Sequence, residues 1–190
     1  MRRWLHAVTL VLLAQSAGWA AAVEIKGVSV PETARIETVD QVLSLNGAGI
    51  RKKFFVSVYI GALYLVEKST SADAIIAADQ PRRIAMHFLY DKVEAAKLQE
   101  AWLEGFQANM KAEEFERVKP RLEKFNGYFG DAVKGDVIHL DYIPGVGTRV
   151  LVNSEVKGTI PGADFSRGLI SVWLGSQPVT EGLKEAMLGK

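Results

Sequence analysis

Past residue 22 the chain alternates apolar and polar positions for long stretches. Val23-Glu24-Ile25-Lys26-Gly27-Val28 has period two, the mark of a half-buried strand, and Pro31 interrupts it. Val42-Leu43-Ser44-Leu45-Asn46 is a second strand, closed by Gly47-Ala48-Gly49. Phe54 to Val66 is a long run of aromatic and β-branched residues. Its even positions, Phe54, Val56, Val58, Ile60, Ala62, Tyr64 and Val66, form a nearly continuous apolar face. On the other face Tyr59 stands between Ser57 and Gly61, small neighbours that leave room around one large ring with a polar tip.

Ser69 to Ala78 reads as a short helix, and Arg82 to Tyr90 as a strand with Ile84, Met86, Phe88 and Tyr90 on one side. Asp91 is a candidate cap for a helix to about Met110, with an apolar stripe of Ala95, Leu98, Trp102, Phe106 and Met110. Glu113 to Phe129 reads as another helix, disturbed by Pro120. Asp136 to Ile143 and Arg149 to Val152 form a hairpin around Pro144-Gly145-Val146-Gly147, and Val156 to Ile160 is a further strand. Asp164 is placed to cap a helix through Leu174, and Thr180 to Leu188 makes a last short helix. This order predicts one α+β domain over residues 23–190, with helices packed on an antiparallel sheet.

Composition narrows the class. A chain of 190 residues buries a core without staples. The absence of Cys excludes disulfides, thiol nucleophiles and thiolate metal sites. A formal charge of +1 excludes a generally basic nucleic-acid binder. Residues 1–22 stand apart. Arg2 and Arg3 precede an apolar stretch from Trp4 to Ala14, and Ala20-Ala21-Ala22 offers a small-residue cleavage site. This is the layout of a secretory signal peptide, and the apolar run is shorter than the ~20 residues that span a bilayer. Its removal takes two of the 23 Lys+Arg and none of the 22 Asp+Glu, leaving a formal charge of −1. A Cys-free domain behind such a signal suits an oxidising bacterial periplasm.

Common catalytic signatures are missing. The sequence contains no G-x-S-x-G, P-loop or H-E-x-x-H motif. Gly47-Ala48-Gly49 leads into a strand, and Lys52 occupies the place of the third glycine of a dinucleotide fingerprint. His87 and His139 read as strand histidines; zinc would need both to converge with a carboxylate such as Asp141. No metal site and no cofactor are expected. Asp141 has no partner acid in the sequence that would make it a catalytic base.

What remains is Arg51, just ahead of the strand that carries Tyr59. If Gly47–Gly49 is a flexible turn that lets Arg51 point over the roomy face, a guanidinium and a phenol make an anion clamp. The alternative is a surface Arg51 in a basic turn with Lys52 and Lys53, and a core Tyr59.

The stretch Leu45 to Leu65 resembles the signature of the chalcone isomerase-like superfamily. So does the run Ile160-Pro161-Gly162-Ala163-Asp164-Phe165 through Trp173-Leu174-Gly175-Ser176-Gln177-Pro178 to Leu188-Gly189. The similarity is strongest to the secreted bacterial branch and spans about residues 24–189. It implies an open-faced β-sandwich: a large antiparallel sheet with helices over one side and a ligand cleft between. Arg51 matches the cleft arginine, which in the plant isomerases stabilises an oxyanion and in the fatty-acid-binding members holds a carboxylate. Val58-Tyr59-Ile60-Gly61-Ala62-Leu63-Tyr64 is similar to the strand that supplies the carboxylate-binding tyrosine, with its glycine displaced by one, so Tyr59 is that match. Tyr90 matches a cleft tyrosine of the isomerases. The chain departs from the isomerases where they carry a threonine and an asparagine: here stand Val58-Tyr59 and Ala95-Ala96-Lys97. Without those groups a flavonoid substrate and its water lose their positioning.

The resulting expectation is a non-catalytic periplasmic binding protein. Its ligand is a fatty acid or similar apolar carboxylate, with Arg51 and Tyr59 at the head, Tyr90 nearby, and Trp102 and Phe106 as candidate tail contacts. Two alternatives stand beside it: an envelope interaction protein with a vestigial cleft, and an isomerase or intramolecular lyase in which Arg51 stabilises an oxyanion.

Overall fold

The computed structural model of the chain describes residues 21–190, so the segment read as a signal peptide lies outside the described residues but for Ala21 and Ala22. The alternating stretch from Val23 is two strands, β1 (Ala22–Ile25) and β2 (Val28–Pro31). They join through Lys26-Gly27, both at positive φ (48° and 74°), the backbone of a tight primed hairpin turn. There follow β3 (Thr33–Arg35), β4 (Val42–Lys53), β5 (Val56–Leu65), α1 (Ala72–Ala77) and β6 (Arg82–Phe88). The middle of the chain is β7 (Lys92–Val93), α2 (Ala95–Asn109), α3 (Ala112–Asn126) and β8 (Ala132–Val133). The last part is β9 (Val137–Ile143), β10 (Gly147–Val152), β11 (Glu155–Ile160), α4 (Ala163–Leu174) and α5 (Glu181–Met187). Helix α3 continues through Pro120, which sits on its exposed side.

A seven-stranded sheet in the order β11-β10-β9-β6-β5-β4-β3 carries the architecture. Every neighbouring pair in it is antiparallel. One face packs on the helices: Leu63, Ile84, Met86, Ile138, Leu140 and Val150 meet Trp102, Phe106, Phe125, Phe165 and Trp173. The opposite face buries Leu43, Leu45, Ile60, Ala62 and Tyr64 under Val30 of β2 and Ile36. The α+β expectation of a sheet with helices over one side therefore holds, and β2 covers part of the other side.

Strand parity along β4 and β5 changes at two β-bulges. Leu45 pairs with Tyr64 and Gly47 with Leu63, so Asn46 is the extra residue. Ahead of it Leu43 and Leu45 face away from the helices; beyond it Ala48 and Ile50 take that side, and Gly47, Gly49 and Arg51 turn to the helices. Asn46 is fixed by its own amide. Its Nδ2 donates to the carbonyls of Ser69 (2.9 Å) and Met187 (2.8 Å), and its Oδ1 accepts from the Ser69 N–H (2.8 Å). The second bulge leaves Val58 unpaired between Ser57 and Tyr59, and its carbonyl accepts from Leu89 and Tyr90.

Gly47-Ala48-Gly49, expected as a flexible turn, is regular strand. Its glycines clear a bed for α5: a Cβ on Gly49 would stand 2.5 Å from Ala186 Cβ, and one on Gly47 only 2.1 Å from the Ala186 carbonyl oxygen. Phe54-Phe55, expected to begin the next strand, is instead the two-residue turn between β4 and β5. Two expected caps also move. Asp91 does not cap α2; the Ala95 N–H is accepted by Asp131, 2.8 Å away, which also pairs with Lys92. Asp164 lies inside α4, whose N-cap is Gly162, and is gripped by both terminal nitrogens of Arg121 at 2.8 and 2.6 Å.

Asp141, on the face away from the helices, is fully buried. Arg83 holds both its oxygens, at 2.6 and 2.8 Å, and Arg149 approaches to 3.6 Å. A carboxylate so engaged is structural and is not free to act as a base. His139 and His87 lie on the same face. Burial lowers the affinity of both imidazoles for protons; His139, also repelled by Arg83, falls to about 4.

Candidate ligand cleft

Between the β4–β5 hairpin and α2 the sheet and the helices part to leave a cavity of about 560 Å³. That is a size ordinary for a small-molecule site. The separation follows from the bulges. With Val58 extra, Val56, Val58 and Tyr59 all turn to the cavity, opposite Arg51 and Lys53 of β4. The inner wall is apolar: Val58, Met86, Leu98, Trp102, Val172 and Val179. Its floor is stiffened by aromatic contacts, with Trp102 edge-on to Trp173 at 5.5 Å between ring centroids and to Phe125 at 5.5 Å.

Arg51, Tyr59 and Tyr90 all line this cavity. Arg51 and Tyr59 are direct cross-strand partners, and the guanidinium carbon lies 5.7 Å from the centre of the Tyr59 ring. Arg51 is half-buried and, among the described residues, makes no salt bridge or side-chain hydrogen bond. Tyr59 is 5% exposed, and its hydroxyl accepts a 2.9 Å hydrogen bond from the indole N–H of Trp173 on α4. Among the described residues its own O–H has no acceptor. Burial pushes the phenol up to about 12, against the opposing effects of the Arg51 charge and the Trp173 hydrogen bond. At neutral pH Tyr59 is therefore a proton-bearing donor beside a permanent cation. Tyr90 enters from the segment after β6 and is 45% exposed at the mouth.

Of the candidate tail contacts, Trp102 lines the cavity, while Phe106 is fully buried against Phe165 and belongs to the core. The sequence reading missed Trp173 as the group that orients the Tyr59 hydroxyl. The run Ile160 to Leu188 marked its helix, but nothing local ties an indole to a phenol 114 positions away. It also missed the charged rim, where Lys97 pairs with Glu100 at 2.7 Å.

The family model described as chalcone isomerase-like matches residues 22–189. The chain belongs to the chalcone isomerase-like family. No curated protein sequence matches it significantly. Among solved structures it is similar to the crystal structure of a fatty-acid binding protein of Arabidopsis thaliana. The two superpose with a TM-score of 0.69 at 17% identity, over 90% of this chain and 96% of the plant protein. At that identity the likeness is one of fold: a chalcone isomerase-like sheet with helices on one side. Among the described residues no helix is long and apolar enough to cross a membrane.

Proposed function

We propose that this chalcone isomerase-like chain is a non-catalytic carrier of a fatty acid or similar apolar carboxylate, exported to the periplasm by its first 22 residues. The observation that carries the reading is the pairing of an unpartnered Arg51 with a buried, protonated Tyr59 on a cavity whose inner wall is apolar and whose rim is charged. A half-buried guanidinium without a counter-ion is incomplete, and a carboxylate completes it with charge-assisted hydrogen bonds. Tyr59, its oxygen already accepting from Trp173, has its O–H left to donate. The apolar wall takes the chain at ~0.8 kcal/mol per buried methylene. Ten methylenes thus give about 8 kcal/mol, part of which offsets the loss of motional freedom on association. The fold shared with a plant fatty-acid binding protein supports the same ligand class.

The test is native mass spectrometry of the protein purified from a periplasm, beside Arg51→Ala. A co-purifying fatty acid that the variant lacks is the expected result. Wild-type protein that is empty and ignores added fatty acids would overturn the reading.

A further inference from the structure

The β4–β5 turn breaks the ordinary rules of a protein surface. Phe54 and Phe55 form its two central positions and are 88% and 102% exposed. Phe54 sits at φ 54°, a strained region for a bulky side chain, with no Gly or Asn to ease the turn. Two adjacent phenylalanines held out by strained backbone are costly in water and call for an apolar partner. The charge on the same element is one-sided. Arg51, Lys52 and Lys53 precede the tip, and no Asp or Glu occurs between Asp40 and Glu67. The acids near the mouth are Glu94, at the N-cap of α2, and Glu100 and Glu104 on that helix, and Glu100 is held by Lys97.

We propose that this hairpin tip is a membrane-docking element. Phe54 and Phe55 enter the headgroup–acyl boundary of an anionic bilayer while Lys52 and Lys53 lie against its phosphates. An apolar tip collared by cations is complementary to such a surface, with a few methylene layers below a negative plane. It is not complementary to a second copy of itself, because tip-to-tip contact would oppose the lysines of both copies. Phe54 also lines the cavity, so docking brings the cleft mouth, with the half-exposed Tyr90, to the lipid phase. The proposed carrier function gives the docking its purpose, but the docking itself rests on the hairpin alone.

The experiment is co-sedimentation of ligand-free protein with vesicles of phosphatidylcholine, with and without phosphatidylglycerol. Phe55→Ser and Lys52→Glu are the variants, since neither residue lines the cavity and both are exposed. Wild type should partition onto the phosphatidylglycerol vesicles and release as salt is raised. Phe55→Ser should lose about tenfold or more of that partitioning. Lys52→Glu should lose a similar factor on anionic vesicles only. No wild-type binding to either vesicle, binding unchanged in Phe55→Ser, or a concentration-dependent dimer that Phe55→Ser abolishes without any vesicle binding would each overturn the proposal. Because the vesicles contain no fatty acid, failure here leaves the carrier reading to its own test.

Discussion

Replacing Arg51 by Met separates what this residue does for the fold from what it does for a ligand. Met keeps an apolar stem over the Tyr59 ring and removes only the guanidinium. In the ligand-free protein that group has no ion pair among the described residues; its one visible interaction is with the ring 5.7 Å away. Such a contact contributes about 0.5–1 kcal/mol at a partly exposed site, set against the cost of drawing a charge partly out of water. The net effect on stability is therefore within about 1 kcal/mol, or at most about 4 °C in Tm for a domain of this size. In the proposed complex the same group donates to an ionised carboxylate, and hydrogen bonds to charged groups contribute about 1.5–3 kcal/mol. The variant should bind a fatty acid about 10- to 150-fold more weakly. Titration calorimetry with a saturated fatty acid and with the alcohol of equal length supplies the control. The alcohol can still accept from Tyr59 and fill the apolar wall, so its affinity should change little. If acid and alcohol weaken equally, or neither weakens, Arg51 is not the carboxylate's partner.

Two further outcomes concern the scaffold. Gly49→Val drives new atoms into Ala186 from a Cβ already 2.5 Å away, so α5 must shift; a loss of about 1–3 kcal/mol in urea unfolding is expected, and a change below about 0.5 kcal/mol would show that α5 does not depend on this glycine. His139 supplies a pH dependence. Its folded-state affinity for protons is lowered, by burial first and Arg83 second, from 6.5 to about 4. As pH falls below 6.5 the unfolded chain takes up a proton that the folded one refuses, so stability declines until about pH 4 and His139 adds no further loss below that. The decline is about 3 kcal/mol, with His87 adding in the same direction. His139→Gln should flatten it, and an unchanged pH profile in that variant would assign the decline elsewhere.

Much of the sheet was legible because its strands obey period two. Ile84, Met86 and Phe88, and Ile138 and Leu140, fall on the helix face as the alternation requires. The reading failed where long-range partners decide. Gly47 and Gly49 carry turn chemistry, yet they are strand residues thinned for α5, a helix nearly 140 positions away. Phe54 and Phe55 carry strand chemistry, yet they are a turn. The cap of α2 comes from Asp131, beyond α3, so no spacing rule near Asp91 could find it. Of the site, Arg51, Tyr59 and Tyr90 could be singled out from the resemblance and their surroundings. Trp173 and the depth of the apolar wall depend on how α2 and α4 lie on the sheet, which no local pattern encodes.

The position of Arg51 exposes what builds the cleft. A regular β4 would keep one parity from Leu43 onward, and residue 51 would then share the face of Leu43 and Leu45, away from the helices. It would lie on the side of Asp141 rather than in a cavity. The extra residue Asn46 reverses that parity, and the Val58 bulge lets Val56, Val58 and Tyr59 all address the space so created. Asn46 does not line the cavity, yet its three side-chain hydrogen bonds, to Ser69 and Met187, fix the bulge to α5 and to the loop before α1. A bulge weakens a ladder locally, and this one is offset by hydrogen bonds that an apolar residue could not make. The geometry of the cleft is thus set by an asparagine outside it, and the irregularity of the strand is what brings a cation and a phenol to the same side of the sheet.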